Sequence, residues 1–163
     1  MDHTKPFLGS QHNTHFCVAS PRQRLPVMQN KEYTPVSYTI NRTFNDSTFD
    51  DIDARTRTAL ADNGFGVLTE IDVKATMKKK LDVEMPAYRI LGACNPKMAY
   101  SAIGMEPRVG AMLPCNVILR EIEGGVEVSA IDPVASMQAI ENAELTAVAG
   151  EVRNLLAKAI EAI

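Results

Sequence analysis

From about residue 35 onward, apolar and polar positions either alternate or recur at helical spacing, and the pattern predicts a succession of short strands and helices. Val36-Ser-Tyr-Thr-Ile40 alternates as a half-buried strand does. Ser47 or Thr48 supplies an N-cap, after which Phe49, Ile52, Thr56, Ala59 and Leu60 share one helical face, and Gly64 suits the stop. The strand Phe65–Ile71 puts Phe65, Val67 and Ile71 on one face and Leu68 and Glu70 on the other. Asp72 then caps a helix over Val73–Leu81. Its Lys74, Lys78, Lys79 and Lys80 read as a solvated face rather than a phosphate site, because cations suit a helix C-terminus.

Pro86 holds Met85 extended, and Ala87–Cys94 is the next strand. Tyr88, Ile90, Gly92 and Cys94 share one of its faces; Arg89, Leu91 and Ala93 share the other. Asn95-Pro96, a cap with proline at the first helical position, opens a helix striped by Met98, Ala99, Ala102 and Ile103. Gly104 and Pro107 end it, and Val109–Pro114 reads as a connector. Cys115–Ile122 and Val126–Ile131 flank Glu123-Gly124-Gly125, a hairpin signal. Asp132-Pro133 repeats the cap-plus-proline device and opens a short helix toward Ile140. Leu145, Val148, Val152, Leu155, Ala159, Ile160 and Ile163 then predict a long C-terminal helix that covers the sheet.

Residues 1–34 follow neither period and carry His3, His12, His15 and several prolines, so they read as a flexible tail or wrapped arm ahead of a single domain at 35–163. His12-x-x-His15-x-Cys17 matches no standard zinc spacing and lacks a second ligand pair, so no metal is expected. A net charge of -3 speaks against a nucleic-acid partner. No apolar run approaches the roughly 18 residues of a membrane span, and no apolar signal core opens the chain, so the expected location is the cytoplasm. Three cysteines make no disulfide framework and are expected as thiols. A G-x-S-x-G elbow and a P-loop are both missing, and no histidine lies beyond residue 15, which excludes ordinary hydrolase and kinase chemistry. The expectation is a protein that is not an enzyme, and no cofactor is indicated.

Four runs occur in order: Gly64-Phe-Gly-Val-Leu-Thr-Glu-Ile-Asp72, Ile90-Leu-Gly-Ala-Cys-Asn-Pro96, Leu113-Pro-Cys-Asn-Val117 and Ile131-Asp-Pro133. With them, the chain from about Tyr33 to its end resembles the prokaryotic family called domain of unknown function 302. The resemblance implies an α+β fold of the TATA-box-binding-protein-like group, with a curved, mostly antiparallel sheet and helices packed on one face. It also implies a homodimer, and it implies no activity. Likeness to a DNA-binding saddle is analogy only.

Three groups of residues carry candidate chemistry. Cys94 precedes the Asn95 cap, where a helix N-terminus lowers a thiol pKa, and Cys115 sits in a second Cys-Asn pair. If their strands are neighbours, the two thiols can, together with Glu70 or Asp72, hold a soft metal or cycle as a dithiol, while strand parity offers the plainer reading of two small hydrophobes on the helix-covered face. Glu70 and Asp72 share a face as an acid–base pair would, yet capping by Asp72 and pairing of Glu70 with Arg89 or Arg120 account for both. Leu68, Leu91, Ile118 and Ile122 together with Glu70, Arg89, Asn116 and Arg120 are read as the second sheet face. That mixture is too apolar for a solvated surface and suits a dimer interface or a concave site for a small acidic ligand. The leading reading is a homodimeric module binding a small molecule or protein partner through this face. A thiol-dependent redox or metal-binding protein and a purely structural or interaction protein are the alternatives.

Overall fold

The computed structural model describes residues 38–163; the segment 1–34, with His12, His15 and Cys17, lies outside them. Strands β1 (Thr39–Asn45), β2 (Gly66–Asp72), β3 (Tyr88–Cys94), β4 (Cys115–Ile122) and β5 (Gly125–Ile131) form one open sheet in the order β1-β5-β4-β3-β2. Every pairing is antiparallel. Helices α1 (Phe49–Asp62), α2 (Val73–Leu81), α3 (Pro96–Met105), α4 (Pro133–Ser136) and α5 (Ala143–Ala162) complete an α+β architecture, with a 3-10 turn over Pro107–Met112. The described residues enter on one sheet edge as β1, α1 carries them to the opposite edge, and β2 to β5 meander back until β5 pairs with β1.

Each helix begins on a side chain that accepts one of its otherwise unpaired N–H groups. Thr48 accepts from Asp51, Asp72 from Ala75, Asn95 from Met98, Asp132 from Val134 and Ala135, and Asn142 from Leu145. Asp132 also accepts from Arg153 Nε at 2.8 Å, which ties the end of β5 to α5.

Two element ends lie several residues from where the sequence reading put them. The first strand does not stop at Ile40 but runs on to Asn45, because Asn41, Arg42 and Thr43 mask its alternation. Arg42 is on the inward face by parity, yet its guanidinium escapes burial by donating to the carbonyls of Ile160 (3.1 Å) and Glu161 at the end of α5. Arg55 donates to the Ile163 carbonyl at 2.7 Å, and both arginines lie over the Phe44 ring. The second difference is α4, which ends at Ser136 rather than near Ile140.

Inward-facing Leu91, Val117, Leu119, Val126, Val128 and Ala130 meet Ile52 and Leu60 of α1 and Leu156 and Ile160 of α5. Full burial of one such aliphatic side chain stabilises the fold by about 1.5–3 kcal/mol. A smaller cluster of Ala102, Val109 and Leu145 joins α3, the 3-10 turn and the start of α5.

Gly92 is sterically fixed: a Cβ there would overlap Thr69 Oγ1 and approach Pro114 Cγ to 2.6 Å. Gly92→Ala is therefore expected to destabilise the protein by about 1–3 kcal/mol, as other overpacked sites do. Chemical denaturation of the two proteins checks this.

Candidate functional site

Strand register decides which candidate residues share a face. Leu91 lies opposite Val117, and Glu70 lies opposite Leu91. Ile118 lies opposite Ile90, and Ile90 opposite Ile71. Facing partners in an antiparallel ladder project to the same side. Glu70, Arg89 and Leu91 therefore belong to the helix-covered side, while Asn116, Ile118 and Arg120 belong to the other. The single face expected from parity is divided. Two facts undo the expectation: parity within one strand says nothing about its neighbour's phase, and a β-bulge between Val67 and Thr69 shifts β2 by one residue. Leu68 sits in that bulge, 65% exposed.

On the helix-covered side, two arginines and two carboxylates close a network beside α1. Asp53 Oδ2 lies 2.8 Å from Arg57 Nε and 3.0 Å from Arg89 Nη1. Glu70 Oε2 lies 2.7 Å from Arg57 Nη2, and its Oε1 lies 3.2 Å from Arg89 Nε, without hydrogen-bond alignment. Arg89 also stacks over the Phe49 ring at 5.3 Å. The hydrogen bond from Arg57 to Asp53 is the chief reason the Arg57 guanidinium is held above its ordinary pKa. Opposite charges balance, so this cluster holds the β2–β3 edge to α1 and leaves no spare charge for a ligand. Asp72 caps α2 and takes no part.

The other side presents in-register rows. Asn41, Ser129, Ile118, Ile90 and Ile71 form one row across all five strands, and Thr43, Glu127, Arg120 and Tyr88 form the next. None of these side chains belongs to either buried cluster. Arg120 Nε lies 2.7 Å from Glu127 Oε1, which also accepts from Ser129 Oγ at 3.2 Å. Ile122 shares the parity of Ile118 and Arg120. Parity alone did not point to Ile71, Tyr88 or Ile90 here, because they were assigned to the covered side.

The two cysteines lie on neighbouring strands, with Ala93 opposite Cys115. Cys115 faces the core. Cys94 has the opposite parity, but β3 ends there, and both residues border one cavity of about 30 Å³ between the sheet and α3, α4 and α5. Met98 and Met137 line the same cavity. The expected lowering of the Cys94 pKa at the head of α3 is not found: burial pushes it up. Burial, assisted by the neighbouring Cys94, pushes Cys115 up to about 11. Desolvation of the thiolate outweighs a helix terminus whose N–H of Met98 is already taken by Asn95 Oδ1. Among the described residues no group of three His, Cys, Asp or Glu side chains is placed to hold a metal, and no helix is long and apolar enough to cross a membrane.

The family model described as Domain of unknown function DUF302 matches residues 40–163. The chain belongs to the DUF302 family. A solved structure of an uncharacterized conserved DUF302 protein from Bacillus stearothermophilus superposes with a TM-score of 0.72 at 20% identity, covering 77% of this chain and 98% of that one. At that identity the likeness speaks for the DUF302 fold alone. No curated protein matches the chain.

Two predictions follow from these sites. Asp53→Ala takes one carboxylate from two arginines at once, leaving both to Glu70 alone, and should cost about 1–3 kcal/mol, less than a fully buried pair because Arg57 is part-exposed. Glu70→Ala, at a 43% exposed carboxylate, should cost under about 1 kcal/mol; urea titrations rank the two. For Cys115, the folded state favours the neutral thiol, so its contribution is complete below the ordinary thiol pKa and is lost as pH rises toward about 11. Stability of the wild type should therefore fall by on the order of 2 kcal/mol more than that of Cys115→Ala between pH 8 and 11, as read from paired melts across that range.

Proposed function

We propose that this DUF302 protein is a cytoplasmic homodimeric binding module that associates through the sheet face left bare by α1 and α5. The observation that carries the reading is the in-register row Ile71, Ile90 and Ile118, continued by Ser129 and Asn41 and bordered by the Arg120–Glu127 pair. Three adjacent isoleucines on one side of an antiparallel sheet are costly in water and suited to a partner surface. A second copy is the favoured occupant. A two-fold axis through Ile90 lays Ile71 of one copy over Ile118 of the other, so the apolar end of the row is self-complementary. Charge on this face is paired rather than concentrated, which favours a protein surface over a small acidic ligand.

Sedimentation velocity tests the proposal. The wild type is expected as a dimer across a wide concentration range, and Ile90→Glu with Ile118→Glu as a folded monomer with unchanged far-UV circular dichroism. A monomeric wild type, or a dimer indifferent to both substitutions, sinks the reading.

A further inference from the structure

The cavity behind the sheet has a composition that the proposed association does not use. Most of the residues that line it come from β3, β4, α3, α4 with its C-cap Met137, and α5, and four of them carry sulfur: Cys94, Cys115, Met98 and Met137. Among the described residues the one nitrogen- or oxygen-bearing side chain on the wall is Asn95, whose Oδ1 is occupied by the Met98 N–H at 3.3 Å. At about 30 Å³ the space is about a tenth of the smallest ordinary organic-ligand pocket, yet it exceeds the volume a single water or bare ion needs.

We propose that this cavity is a site for one soft monovalent metal ion, Cu(I), held by Cys94 and Cys115 as thiolates with Met98 and Met137 as thioether neighbours. Donor chemistry selects the ion. Thiolate and thioether sulfur favour Cu(I), whereas Mg and Ca demand oxygen donors that the wall does not supply. Structural zinc needs four thiolate or imidazole ligands, and two thiols fall short. Binding replaces two S–H bonds by two Cu–S bonds, releases two protons to solvent and leaves copper in its +1 state, so no oxidant or reductant is required. Geometry also supplies an approach: Cys94 is half-buried at the end of its strand, and Cys115 is buried behind it. The site lies on the helix-covered side, so it stands or falls independently of the outer face.

The test is a Cu(I) titration of the full chain under anaerobic conditions against the chromophoric chelator bicinchoninate. One Cu(I) per chain is expected, and it should persist in Cys17→Ser. Cys94→Ser, at the half-buried position, should lose affinity by at least the roughly hundredfold seen when even an outer-shell partner is removed. Met98→Leu, which keeps the apolar volume, should weaken binding by about tenfold with an unchanged melting curve. Zinc is the counter-probe and should not be retained. The proposal is overturned by failure to compete with the chelator, by copper binding that survives Cys94→Ser or disappears with Cys17→Ser, or by preferential retention of zinc.

Discussion

The contact between one face of the sheet and the helices α1 and α5 governs everything else in the molecule. Leu91, Val117, Val128 and Ala130 form an inward surface that excludes water only when Ile52, Leu60, Leu156 and Ile160 lie across it. Because that burial is the dominant favourable contribution, register and strand phase must obey it. A one-residue slip of β3 would turn Ile90 and Gly92 inward and put Leu91 and Ala93 into water.

Charged groups are arranged around this contact rather than through it. Arg42 and Arg89 both begin on the inward side of the sheet, near opposite edges, and both leave it by stacking on a phenylalanine and reaching polar partners. Arg42 ends on the carbonyls of α5, where its charge suits the helix terminus. Arg89 ends on Asp53 and Glu70. The covered face is thus rimmed by guanidinium groups whose stems extend the apolar layer. Residues that look like a binding site in one dimension serve here as fasteners between sheet and helix.

Two surfaces remain after those needs are met. The bare sheet face gathers isoleucines from three strands, and the sulfur-lined cavity gathers thiols and thioethers from the end of the sheet and the helices beside it. They lie on opposite sides of the same strands.

The sequence by itself determined the elements and the family. Local signals sufficed for this: Ser47 or Thr48, Asp72, Asn95 and Asp132 mark helix starts a few residues away, Glu123-Gly124-Gly125 makes a local turn, and four ordered motifs carry the DUF302 resemblance. It also placed Cys94 and Cys115 on strands that turn out to be neighbours. Which residues meet across strands was decided only by the tertiary structure. Alternation within β3 does not say whether Leu91 or Ile90 joins Ile118, and the bulge at Leu68 reverses the phase of β2 without a mark in the pattern. The extent of β1, the inward turn of Glu70 and Arg89, and the convergence of Met98, Met137, Cys94 and Cys115 on one cavity all rest on long-range packing. Side-chain period is a local property, whereas register is set by burial against helices far away in the chain.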